Sequence, residues 1–170
     1  MKDAPMRLWL KDPIAVLAAG AERGVVVEEG QIVALVGAGA PDPAHDQAFD
    51  ASRHVILPGL VNTHHHFFQT LTRAHPAAIN RELFPWLKAL YPRWGAFLNR
   101  DRFRLAVRLA LTELLMSGCT TASDHLFVFP ADMPDAVDIE AEEAAALGMR
   151  IALTRGVINM GTTSGGIADE

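Results

Sequence analysis

The segment Pro58-Gly59-Leu60-Val61-Asn62-Thr63-His64-His65-His66 constrains this chain more than any other. A punctuating Pro-Gly is followed by an apolar run that ends in a cluster of imidazoles, and such clusters bind transition metals. Read as a strand over Leu60 to His66, the segment alternates its side chains between two faces. His64 and His66 then share one face and His65 takes the other. Two steps of strand rise separate their Cα atoms by about 6.5–7 Å. Both imidazoles then reach one ion at bond lengths of about 2.0–2.1 Å. The competing readings are a surface histidine run or an expression tag. A tag would sit at a terminus and lack the buried run expected before these histidines. Residue type, spacing and context therefore mark His64 and His66 as metal ligands.

The pattern on either side of Pro58 differs. Residues 1–57 read as short strands: Arg7–Leu10, the pair Gly24–Glu28 and Gln31–Val36 flanking Glu29-Gly30 as a hairpin, and His54–Leu57. Gly37 to Asp46, rich in Gly, Ala, Pro and Asp, reads as a loop. Residues 58–170 change period. After the Leu60–His66 strand, Phe67 to Asn99 reads as a long irregular or partly helical stretch. Asn99 or Asp101 caps a helix that runs to Ser117, with Phe103, Val107, Ala110, Leu111, Leu114 and Leu115 as an apolar stripe. Gly118 stops it, Cys119–Asp124 reads as a strand, Asp135–Leu147 as a helix ended by Gly148, and Met149–Arg155 as a third strand. Residues 161–170 read as loop. The alternation predicts an α/β unit of parallel strands with helices outside.

The bulk numbers exclude some functions. The chain has 170 residues, half of them hydrophobic and 21% charged, a globular composition. A net charge of -5 and a pI near 5.8 argue against a nucleic-acid surface. Cys119 is the only cysteine, so no intrachain disulfide forms, which fits a reducing compartment. No apolar run approaches the roughly 18 residues of a membrane span, and Met1 to Pro5 opens no secretory apolar region. The expectation is a cytoplasmic protein with no membrane and no nucleic-acid partner.

The Pro58–His66 segment resembles the amidohydrolase superfamily, whose barrel opens with a strand ending in His-x-His after a Pro-Gly that leaves a small β-sandwich. The likeness continues through Gln69-Thr70-Leu71-Thr72-Arg73, Phe84-Pro85-Trp86-Leu87, Ser117 to His125 and Gly148 to Gly156. Within that superfamily it is similar to the aminohydrolase branch of guanine, 8-oxoguanine and S-adenosylhomocysteine deaminases and triazine hydrolases, and its pattern is nearest to that of the 8-oxoguanine deaminases. The resemblance implies that residues 1–57 are a β-sandwich segment and residues 58–170 the first three strands and helices of a (β/α)8 TIM-type barrel. Such a barrel takes roughly 200 residues or more, so the chain reads as the front of a longer protein. The resemblance also implies one bound divalent metal, zinc (Zn2+), with ferrous iron (Fe2+) as the other candidate. A catalytic zinc usually has three protein ligands and a water. The remaining ligands and the acid–base groups are therefore expected beyond Glu170, and no catalytic residue besides the two ligands is assigned here.

The same resemblance points to substrate-binding residues. Gln69 lies three residues beyond His66, the spacing at which purine deaminases place a base-contacting glutamine; its amide offers a donor and an acceptor. The alternative is a loop glutamine bonded to backbone. Trp86 falls where family members set an aromatic over the site, and it either packs on a flat base or fills the core. His125 follows Asp124 at the end of the second strand, the face on which barrel enzymes build their sites. It lines the pocket or is a hydrogen-bonded structural histidine. Asp124 orients a ligand or bonds loop amides. Arg155 ends the third strand and binds a polar substrate edge or a neighbouring carboxylate. Tyr91 and Trp94 are read as core or interface, and His65 as supporting.

These readings converge on zinc-dependent hydrolytic deamination of a purine-type base, 8-oxoguanine or guanine like, with ammonia released on attack by metal-bound hydroxide. The alternatives are a triazine or other N-heterocycle amidohydrolase and a non-catalytic binding module. The expected partner is a small heterocyclic molecule, with a homo-oligomer expected of the full-length protein.

Overall fold

The backbone divides after Pro58 into two compact units. The computed structural model describes residues 5–130 and 132–157; the loop expected over 161–170 lies outside them.

In the first unit, six short strands follow one another: β1 (Arg7–Lys11), β2 (Ala15–Val16), β3 (Gly24–Glu28), β4 (Gln31–Val36), β5 (Gln47–Asp50) and β6 (Val55–Ile56). Four of them form a sheet in the order β4-β3-β1-β5, and β2 and β6 pair separately. β3 and β4 form the expected antiparallel hairpin, closed where Glu28 faces Gln31. Its two turn residues have positive φ, 48° at Glu29 and 76° at Gly30, as a tight hairpin turn requires. Trp9, Val26 and Val36 form the small core, and the buried indole of Trp9 donates to the Arg23 carbonyl oxygen at 3.1 Å. β5 lacks a sequence signature because every one of its residues is exposed. Its parallel pairing with β1 creates the strand.

The second unit contains β7 (Leu60–His65), a 3-10 turn over Phe67–Thr72, α1 (Leu83–Phe97), α2 (Arg100–Met116), β8 (Cys119–Leu126), α3 (Ala136–Leu147) and β9 (Arg150–Arg155). The strands lie in the order β7-β8-β9, all parallel as the alternation predicted. Asn99 caps α2, its side-chain oxygen accepting from the Arg102 amide at 3.0 Å. The predicted stripe of α2 is buried at Phe103, Val107, Ala110 and Leu111, whereas Leu114 and Leu115 are only half-buried. α1 settles the irregular stretch: Pro85 sits in its first turn, where a missing amide costs little, and the helix continues through Pro92. No helix among the described residues is long and apolar enough to cross a membrane.

Three local features position the site. Gly59 passes so close to β8 that a Cβ there would lie 2.1 Å from Thr120 Oγ1, which explains the glycine after Pro58. Leu60 and Val61 are 60% and 63% exposed, not the buried run expected, because among the described residues β7 is an edge strand paired only with β8. Finally, β8 is two residues longer than predicted. Its alternation buries Ala122, Asp124 and Leu126 on one face and leaves Ser123 and His125 half-buried on the other.

Candidate functional site

Plain strand alternation puts His64 and His66 on one face, and the backbone reaches that result less simply. Asn62 pairs with Ala122 and His65 with Asp124, so three steps along β7 match two along β8. This bulge turns the strand end, and His66 lies just beyond it. The rings of His64 and His66 still come together, centroids 5.0 Å apart and planes at 89°. His65 turns the other way, its ring against Phe67 at 4.9 Å.

The His66 imidazole is oriented by β8. Its Nδ1 lies 2.7 Å from the His125 carbonyl oxygen. A carbonyl only accepts, so the proton sits on Nδ1 and the lone pair on Nε2. Burial pushes the His66 pKa below the ordinary imidazole value, opposed by the bond to that carbonyl. A neutral ring with a free Nε2 is what a metal ligand requires. The exposed His64 ring stacks on His125, centroids 4.6 Å apart. The donor chemistry therefore fits two imidazole ligands. Among the described residues, no group of three or more His, Cys, Asp or Glu is gathered to hold an ion.

The four residues expected to touch substrate do not share one pocket. Gln69 and Trp86 line a hollow of about 220 Å³ together with Thr72, Arg73 and His75. Trp86 also meets the buried Trp94 edge-on at 5.6 Å, so its ring borders the hollow and packs on the core. His125 lines a second hollow of about 350 Å³ with Tyr91, Phe127 and Thr154. Phe127 is in ring contact with His66 at 5.1 Å, which sets this hollow beside the histidine pair. His125 is also hydrogen-bonded: its Nε2–H donates to the Thr63 carbonyl oxygen at 3.3 Å. Arg155 lines neither hollow. Its guanidinium lies over the Phe129 ring, 4.1 Å from the centroid.

Asp124 bonds the first amide of the 3-10 turn. It is fully buried, and its Oδ1 accepts from the Phe67 amide at 2.7 Å, one residue past His66. The sequence reading missed its neighbour, Glu140 of α3, which is also fully buried. Burial pushes the Asp124 carboxyl up to about 6. Burial and then the Asp124 charge push Glu140 up to about 10. The available signal was helical spacing: Ala136, Ile139, Glu140, Glu143 and Ala144 form the buried stripe of α3, so two glutamates fall on an inward face. Glu143 is satisfied there by Arg104 and Arg108, each at 2.6 Å.

The chain is similar to known proteins over most of its length. The chain is 53% identical over 169 residues to 8-oxoguanine deaminase of Pseudomonas aeruginosa, covering 96% of this chain and 37% of that one. It is 45% identical over 128 residues to an isoxanthopterin deaminase from an unknown prokaryotic organism, covering 75% of this chain and 26% of the relative. The chain thus spans well under half the length of the curated relatives it matches. Among solved structures, a mutant atrazine chlorohydrolase from Arthrobacter aurescens complexed with zinc and atraton superposes with a TM-score of 0.76 at 25% identity, over 96% of this chain and 38% of that one. Residues 55–169 match the sequence profile of the amidohydrolase family. With more than half of the sequence so matched, from the strand before the Pro-Gly onward, the chain belongs to the amidohydrolase family.

Proposed function

We propose that this chain forms the metal-binding front of a hydrolase that deaminates a purine-type base, 8-oxoguanine or guanine like. In this reading residues 59–157 supply the first three strands of a (β/α)8 barrel, and residues 5–58 supply strands of a β-sandwich. The observation that carries it is the His64–His66 pair at the end of β7, with the His66 Nδ1–H tied to the His125 carbonyl oxygen at 2.7 Å. The 53% identity to an 8-oxoguanine deaminase favours the substrate class.

In this mechanism His64 and His66 hold a divalent ion, zinc or ferrous iron. When bound, such an ion lowers the pKa of a coordinated water toward neutrality. The remaining contributions come from the chain itself. The His125 carbonyl oxygen fixes the His66 tautomer, so that ring presents a lone pair without rearrangement. The Gln69 amide offers a donor and an acceptor to a ring nitrogen beside a carbonyl. Trp86 offers a flat apolar surface for a flat base. The net reaction replaces a ring C–NH2 by C=O, consuming water and releasing ammonia.

The likeness to a zinc-bound atrazine chlorohydrolase supports a second reading, in which the same site displaces a substituent from a triazine. Ammonia release by the full-length protein from a panel of purines, pterins and aminotriazines, run beside chloride release from chlorotriazines, separates the two. Turnover of 8-oxoguanine or guanine is expected. Turnover of triazines alone would overturn the purine reading.

A further inference from the structure

Two buried carboxyls touch neither the histidine pair nor either hollow. Asp124 of β8 and Glu140 of α3 are both fully buried, and their carboxyls adjoin. Asp124 Oδ1 is taken by the Phe67 amide at 2.7 Å. Asp124 Oδ2 and both Glu140 oxygens have no hydrogen-bond partner of normal geometry among the described residues. The other buried glutamate among the described residues, Glu143 on the same helix, is not left so: it is held by two arginines.

Two adjoining carboxylates in an apolar core are mutually repulsive, and neither keeps its hydration. One proton between them removes both problems, because a protonated carboxyl donates to the oxygen facing it. We infer that Glu140 is a positioning residue that carries this proton and donates it to Asp124, so that the pair anchors the Phe67 amide and with it the adjacent His66. The direction of donation follows from the surroundings. Asp124 accepts from a backbone amide, which favours its charged form, whereas neither Glu140 oxygen has such a donor among the described residues. The anchor is two-sided. Asp124 fixes the backbone just after His66, and the next residue of β8 supplies the carbonyl oxygen that orients the His66 ring. Glu140 thereby links α3 to the candidate ligand without touching it.

The effect on metal rests on the reading of His66 as a ligand, whereas the proton and the anchored amide do not. The test uses the full-length protein, with zinc as the probe. Infrared spectra at neutral pH are expected to show a protonated-carboxyl stretch that disappears in Glu140→Gln. Because the glutamine amide still donates to Asp124, that variant is expected to keep the wild-type hydrogen-exchange protection of the Phe67 amide and a zinc affinity close to wild type. Glu140→Leu removes the donor, so Phe67 protection is expected to fall and zinc affinity to drop about tenfold or more, the scale typical of partners behind a ligand. A wild-type spectrum with no protonated carboxyl assignable to Glu140 would overturn the inference even if the leucine variant fails to fold. So would a Glu140→Leu protein with unchanged Phe67 protection. A protein that binds no zinc in any form would remove the metal reading instead, and Phe67 protection would then decide the anchor alone.

Discussion

His66 and His125 are joined by a hydrogen bond of 2.7 Å from the Nδ1 of one to the carbonyl oxygen of the other, so β8 decides which nitrogen of His66 is free. This predicts an ordered set of metal phenotypes. His64→Ala and His66→Ala are each expected to abolish activity in the full-length protein and strongly lower its zinc content. His65→Ala is expected to change metal content little, because that ring packs on Phe67. Elemental analysis of the purified variants measures this, and full zinc occupancy in both the His64 and His66 variants would remove the assignment.

The Gly59–Thr120 contact predicts a stability effect with a partial rescue. Gly59→Ala places a Cβ 2.1 Å from Thr120 Oγ1 and 2.7 Å from Thr120 Cβ, an overpacking expected to cost about 1–3 kcal/mol. Combining it with Thr120→Ala removes the hydroxyl and methyl but leaves the Cβ, so part of the loss should return. Denaturant titration of the two singles and the double reads the coupling, and strictly additive losses would contradict it.

Gln69 lines the same hollow as Trp86, which predicts an effect on substrate and none on metal. Gln69→Leu leaves polar groups of a buried purine unpaired and is expected to cost about 1–3 kcal/mol of transition-state binding. The loss appears in kcat/KM with zinc content unchanged. An unaltered purine rate in this variant would take Gln69 out of the substrate site.

The Asp124–Glu140 pair predicts the sign of a pH dependence. The folded-state pKa values are raised, to about 6 at Asp124 and about 10 at Glu140. The folded protein therefore keeps a proton that the unfolded chain has already released. Stability from this source is complete below the unfolded carboxylate range and is lost as pH rises toward the folded value of Glu140. The slope for one such proton is at most about 1.4 kcal/mol per pH unit. Stability of the wild type is thus expected to fall between about pH 6 and pH 9 by this linkage, and Glu140→Gln is expected to flatten that fall. Thermal or urea unfolding across the range checks it, and parallel slopes in the two proteins would refute it.

Local chemistry explains which elements were legible. The Asn99 cap, the stripe from Phe103 to Leu111, the Glu29-Gly30 turn and the glycines after α2 and α3 each act within a few residues. A sequence displays such signals directly. β5 was invisible because all its side chains are exposed and only its pairing to β1 makes it a strand. The reading of Phe67–Asn99 as irregular or partly helical did not place α1, where packing carries a helix through Pro92.

The sequence by itself determined the donor types at the candidate site and the side-chain period that separates His65 from His64 and His66. Only the tertiary structure decided how those donors are aimed. The carbonyl that sets the His66 tautomer lies 59 residues away, and the carboxylate that holds Phe67 lies 57 residues away. Alternation along β8 turns Asp124 inward and His125 outward, but only the docking of α3 brings Glu140 against Asp124. Periodicity states which side chains share a face, but the neighbour each one meets depends on strand register and helix docking, and those are settled by burial summed over the whole unit.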